Sequence, residues 1–97
     1  MIRSFGDRGT EDVFNGVDSR AARRACPSSL WSVARRKLDQ LDATVSLEAL
    51  RVPPGNQLEA LKGDRRGQFS IRVNTQFRVC FTWTADGPQG VEIVDYH

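Results

Sequence analysis

The residues best equipped for chemistry stand at the end of the sequence and in two basic groups before it. The sequence closes Glu92-Ile93-Val94-Asp95-Tyr96-His97, on its single histidine. An imidazole titrates near ~6.5 and moves protons at neutral pH. Asp95 can orient or stabilise it, and Tyr96 can donate to a phosphate or stack on a base. Of the fourteen basic residues, twelve are arginine and two are lysine. A guanidinium offers a planar fork of donors that fits phosphate and stacks on bases; an ammonium does not. One group holds Arg20, Arg23, Arg24, Arg35, Arg36 and Lys37, and the other Lys62, Arg65, Arg66, Arg72 and Arg78. This equipment suits metal-free cleavage of RNA. A base removes the 2′-OH proton, arginines hold the phosphate and its developing charge, and an acid protonates the leaving oxygen. No carboxylate cluster with metal-ligand spacing is visible, which disfavours a two-metal nuclease, and no cofactor is implied.

These residues need a scaffold, and 97 residues supply one domain, 1–97, with one modest core. With 39% hydrophobic and 27% charged residues the balance is that of a folded globular chain. No apolar run approaches a membrane span, and the charged start lacks the apolar region of a signal peptide, so a cytoplasmic protein is expected. Cys26 and Cys80 read as inert thiols rather than a disulfide or metal framework. Residues 1–5 alternate weakly, as a short strand does. Thr10 is the expected N-cap of a short helix carrying Val13, Phe14 and Val17, which Gly16 ends. Residues 18–25 have little to bury and are expected to be mobile. A helix begins at Ser28 or Ser29, since Leu30, Trp31, Ala34, Leu38 and Leu41 recur at the spacing of one buried stripe. A short helical turn over 46–50 ends before Pro53-Pro54.

From Leu58 onward the period becomes two. Leu58 and Leu61 flank a short strand, and residues 62–67 make a turn. Phe69, Ile71 and Val73 alternate with polar residues, as do Phe77, Val79, Phe81 and Trp83. Asp86-Gly87-Pro88 reads as a turn before a last strand over 91–96. A three-residue loop, Asn74-Thr75-Gln76, pairs Val73 with Phe77, Ile71 with Val79 and Phe69 with Phe81, gathering all the apolar side chains on one face. The same register sets Arg72 opposite Arg78. Like charges facing across a strand pair are destabilising, so two arginines there point to a polyanion site on the face that also carries Ser70, Thr82 and Glu59. The expected architecture is α+β: a short N-terminal strand and two to three helices on one face of a mainly antiparallel twisted sheet. Trp31 and Trp83 fall at core positions rather than as stacking platforms.

Residues 53–74, 76–81 and the closing Val94-Asp95-Tyr96-His97 resemble the HigB-type plasmid-maintenance killer proteins, toxins of the RelE superfamily, most of all their GraT-like branch. The Leu61-Lys62-Gly63-Asp64-Arg65 and Asp95-Tyr96-His97 blocks are specific in combination, and with Met1-Ile2-Arg3-Ser4-Phe5 the resemblance spans essentially the whole chain. It implies a RelE-like fold and a ribosome-dependent mRNA endonuclease that arrests translation. The implied partners are the 70S ribosome with its mRNA, a HigA-type helix-turn-helix antitoxin, and operator DNA reached through the antitoxin complex. It carries Lys62 over as a phosphate contact, Arg78 as the group stabilising the transition state, and Asp95, Tyr96 and His97 as the catalytic cluster. Arg72 is assigned from register, and Arg65 and Arg66 join Lys62 as RNA contacts. Some relatives carry a histidine where this chain has Glu59. Glu59 is thus an alternative base, and the division of acid and base roles stays open, as does a milder toxin.

Two other classes fit the same residues. One is a module that binds RNA through the arginine face without cutting it. The other is an interaction protein whose residues 20–24 dock a partner or DNA.

Overall fold

The computed structural model of the chain describes residues 1–96. Three α-helices, α1 (Arg8–Asn15), α2 (Arg20–Ala25) and α3 (Trp31–Ala43), precede a sheet of β1 (Glu59–Ala60), β2 (Gln68–Arg72), β3 (Phe77–Thr84) and β4 (Gly87–Asp95). Short 3-10 turns fill the connections at Ser28–Leu30, Glu48–Arg51, Pro54–Asn56 and Gly63–Arg65. The strands lie in the order β1-β2-β3-β4, every neighbour antiparallel. This is the expected α+β layering of helices against one sheet face.

The register follows from the alternation of side chains. Ile71 pairs with Val79, Phe69 with Phe81, and Arg72 with Arg78, while the Val73 amide closes the loop onto the Phe77 carbonyl at 2.9 Å. Ile71, Val79, Phe81 and Val91 are fully buried against Ala34, Leu38 and Leu41 of α3. Trp31 and Trp83 pack partly buried against this core, and Trp31 donates Nε1–H to the Cys26 carbonyl at 3.0 Å. Pro88 belongs to β4 and the turn is the two residues 85–86, not Asp86-Gly87-Pro88. Beyond Cys80↔Glu92 the pairing slips to Thr82↔Gln89, so one residue of β3 faces two of β4. Gly90, with φ 60°, takes the left-handed conformation at this irregularity.

The N-terminal stretch does not form a full strand. Phe5 makes a single parallel bridge to Val91, and the Arg3 and Gly6 amides donate to the Pro88 and Val91 carbonyls at 2.8 Å each, following the β4 edge. Thr10 is not the helix cap. Asp7 is, its Oδ1 accepting from the Thr10 amide at 2.6 Å. Thr10 is instead fully buried, and its Oγ1 accepts from the Ile93 amide at 2.9 Å, satisfying a β4 donor that no strand reaches.

Residues 18–25, expected to be loose, contain a docked helix. Ser19 caps α2 by accepting from the Ala22 amide at 3.0 Å and donates to Asp12 Oδ2 at 2.6 Å. Small residues replace large apolar ones here. Ala22 is fully buried, and a Cβ at Gly9 would stand 2.3 Å from the Ala21 carbonyl oxygen, so only glycine lets α1 and α2 approach this closely.

Candidate active site

The face of the sheet turned away from the helices is built from the alternate residues of the same strands. The register places Glu59 beside Ser70, Ser70 beside Cys80, and Cys80 beside Glu92; Arg72, Arg78 and Val94 line up in the next row. The expected like-charge pair, Arg72 and Arg78, is therefore present, and each guanidinium finds its own acceptor. Arg72 donates from Nε to the Asn74 carbonyl at 3.1 Å. Arg78 donates from Nε to Ser70 Oγ at 2.7 Å and from Nη2 to the Gln57 carbonyl at 2.6 Å. Both acceptors of Arg78 are uncharged. Among the described residues no carboxylate pairs with it, so its charge is held in place without being neutralised.

The Gln57 carbonyl is aimed by an unusual piece of backbone. Gln57 has φ 46°, the left-handed region that a non-glycine residue enters only under constraint. The constraint is Asn56, fully buried in front of it. Asn56 Nδ2 donates to Gln40 Oε1 at 3.0 Å and to the Leu50 carbonyl at 3.1 Å, and its Oδ1 accepts from Lys37 Nζ at 2.5 Å. Partial burial, and then the neighbouring Arg36, lower the Lys37 pKa. Lys37 and Asn56 thus fix α3 to the segment that leads into β1.

Tyr96 covers Arg78, whose Cζ lies 5.7 Å from the ring centroid, a cation–π distance. Its amide continues the ladder beyond β4 by donating to the Gln76 carbonyl at 2.7 Å. Tyr96 also lines a cleft of about 460 Å³ with Glu59, Ala60, Leu61 and Lys62. A second cleft of about 410 Å³ shares Leu61 and Lys62 and extends to Gly63 and Arg66. Glu59, Lys62, Arg66, Arg78 and Tyr96, scattered between positions 59 and 96 of the sequence, are thereby brought to one surface.

Two expected members stand elsewhere. Asp95 pairs with Phe77, which puts it on the helix side of the sheet, opposite to Arg78 and Tyr96. Its Oδ2 accepts from Gln76 Nε2 at 3.0 Å. The signal was legible, since Val91, Ile93 and Asp95 share one side of β4 by alternation. Arg65 is occupied: Nη1 donates to Glu92 Oε1 at 2.6 Å and to Gln68 Oε1 at 3.1 Å. That hydrogen bond to Glu92 raises the Arg65 pKa, against a smaller lowering by desolvation. His97 lies outside the described residues. Sequence reasoning missed Gln57, Asn56 and Glu92. A backbone carbonyl leaves no mark in residue types, whereas the register does place Glu92 on this face.

The arrangement can hold an anionic ligand in a shallow cleft with uncompensated cations on one side and a carboxylate, Glu59, within it. Among the described residues no group of three or more His, Cys, Asp and Glu side chains is gathered as a metal site would require. A third cleft, of about 340 Å³, lies between α1 and α2 beside Gly9, Ala21 and Ala25 and touches none of these residues.

Comparison with known proteins fits this scaffold. The model of the HigB-like toxin family, described as the RelE-like toxin of type II toxin–antitoxin system HigB, matches residues 3–97. The chain belongs to the HigB-like toxins. It is 42% identical over 83 residues to Toxin HigB-1 of Vibrio cholerae serotype O1, an alignment covering 86% of this chain and 84% of that one. An uncharacterised protein of Haemophilus influenzae is 42% identical over 57 residues, 59% of this chain and 56% of its own length. As a HigB-like toxin the chain is of the type II toxin–antitoxin class, and among the described residues it has no helix long and apolar enough to cross a membrane.

Proposed function

We propose that this HigB-like toxin is an endoribonuclease that cuts mRNA on the translating ribosome in the cytoplasm, arresting growth until a HigA-type helix-turn-helix antitoxin binds it. The observation that carries the reading is Arg78: a guanidinium fixed by two uncharged acceptors, capped by Tyr96, at the border of the cleft that Glu59 and Lys62 line. A cation whose charge stays uncompensated is the group a phosphodiester needs as it gains charge.

The reaction is an in-line attack within the RNA. A base takes the 2′-OH proton, the 2′ oxygen bonds to phosphorus, and the bond from phosphorus to the 5′ oxygen breaks as an acid protonates that oxygen. Arg78 and Lys62 hold the non-bridging oxygens. Arg72 and Arg66 extend the cationic surface along the strand, and Tyr96 stacks a base or donates to the phosphate. Glu59 and His97 divide the acid and base roles. The products carry a 2′,3′-cyclic phosphate and a 5′-hydroxyl. No resident metal or cofactor enters the sequence of steps.

Purified protein added to translating ribosomes, with mRNA ends mapped chemically, tests this. Cyclic-phosphate ends that appear only with ribosomes support it. Products with 5′-phosphate ends overturn the mechanism, and RNA retained without cleavage overturns the enzyme in favour of a binding module.

A further inference from the structure

The arginine next to the cationic cleft does not line it. Arg65 sits at the end of the 3-10 turn Gly63–Arg65, in the connection between β1 and β2 that also carries Lys62 and Arg66. Its guanidinium does not reach into the cleft. It crosses the sheet to Glu92 on β4, at 2.6 Å, with the two side chains 33% and 28% exposed. A half-buried ion pair is screened less than a fully exposed one. Beside it lies Cys80, fully buried between Ser70 and Glu92 in the register. The same Nη1 donates to Gln68, the first residue of β2, at 3.1 Å.

The rest of the connection has few ties. The Leu61 amide donates to the Gln68 carbonyl at 2.9 Å, and Leu61 is buried, but Lys62, Gly63, Asp64 and Arg66 are exposed or nearly so. Among the described residues neither Lys62 nor Arg66 has a hydrogen bond or ion pair from its side chain. The bridge to Glu92 is thus the long-range tie that fixes where this connection, and with it Lys62 and Arg66, stands relative to Arg78.

We propose that Arg65 and Glu92 form a brace across the sheet, acting as positioning residues that hold Lys62 and Arg66 at the cleft, and that Arg65 itself does not touch the RNA phosphate. This rests on the RNA site proposed above. It explains why a toxin working on a polyanion keeps a carboxylate on the same face: Glu92 is neutralised by Arg65 and serves as its anchor.

The sign of one substitution separates the brace from simple electrostatics. Removing a negative charge from an RNA-binding face strengthens binding if charge alone matters. The brace demands the opposite. Binding of a short single-stranded oligoribonucleotide and ribosomal cleavage are measured for the wild type, Glu92→Gln, Arg65→Ala and the exchanged pair Arg65→Glu/Glu92→Arg. Amide hydrogen exchange over residues 62–67 is followed in the free protein. Glu92→Gln is expected to weaken RNA binding about tenfold through misplacement of its contacts and to speed exchange over 62–67 about tenfold, with the unfolding midpoint nearly unchanged. The exchanged pair is expected to restore both. Equal or tighter RNA binding by Glu92→Gln overturns the brace. Restored exchange with binding still lost shows that Arg65 meets the phosphate directly, which also overturns it. If the wild type neither binds nor cuts RNA, the proposed function fails while the exchange data still decide whether the brace exists.

Discussion

Arg78 and Arg72 face each other across β2 and β3, and their guanidiniums are drawn apart, Arg78 to Ser70 and the Gln57 carbonyl, Arg72 to the Asn74 carbonyl. Repulsion between like charges in direct register is thus relieved by separate hydrogen bonds. The two differ in what surrounds them. Arg78 is fixed twice and lies under Tyr96, whereas Arg72 is fixed once.

Arg78→Ala is accordingly expected to lower single-turnover cleavage by about 10²–10³, the typical loss of one preorganised donor to a developing charge. Folding should be retained, because Arg78 contributes no core packing. Arg78→Lys should recover only part of the rate, since an ammonium cannot make the forked contact. Arg72→Ala should act mainly on RNA affinity and its salt dependence. Circular dichroism and cleavage of the same samples check both halves; wild-type rate in Arg78→Ala removes it from the site.

The hairpin register was legible because a two-residue loop mixes polar and apolar side chains whereas a three-residue loop gathers both apolar alternations on one face, and this fixed Arg72 opposite Arg78 in advance. Glu59, Lys62 and Tyr96 were legible as residue types, but their meeting in one cleft depends on how β1 is led in by Asn56 and Gln57. The pairing of Arg65 with Glu92 was not legible, because residue type gives a charge and not its partner. Residues 18–25 were misread for a related reason: burial was sought in large side chains, and here close approach at Gly9 with Ala21 and Ala22 does the same work.

Asn56 offers a test of that lead-in. Asn56→Ala leaves the Lys37 ammonium and the Leu50 carbonyl without their buried partner, and a loss of about 2–3 kcal/mol is expected from unsatisfied buried groups. It also frees Gln57 from the left-handed conformation, so the carbonyl that holds Arg78 is lost. Urea unfolding should therefore report destabilisation, and cleavage should fall even at temperatures where the variant remains folded. Activity unchanged in a folded Asn56→Ala protein refutes the link to Arg78.

Cys26 sets an alkaline limit on stability. Burial pushes its thiol from 9.0 to about 11. The unfolded chain therefore releases this proton at lower pH than the folded one. The contribution is fully present below about pH 9 and is lost as pH rises toward about 11, amounting to about 2–3 kcal/mol by linkage. Cys80, also raised by burial, acts in the same direction. Urea unfolding of wild type and Cys26→Ala between these pH values should show a shallower decline in the variant. Parallel declines exclude Cys26 as the source, and rapid reaction of native Cys26 with a thiol reagent at neutral pH contradicts its burial.

The proton transfers provide the last test. Asp95 stands on the far side of β4 from Arg78, so the described carboxylate at the cleft is Glu59. His97, from its resemblance to the toxins' closing histidine, is the expected base. Deleting it should lower cleavage by about 10²–10⁴, the usual share of general acid–base catalysis. Glu59→Gln should then cost much less than the deletion. A carboxylate base predicts the reverse: Glu59→Gln would be inactive, and the deletion would cut RNA almost normally. Single-turnover rates for the two variants, measured on the same ribosomal complexes, decide which group takes the 2′-OH proton.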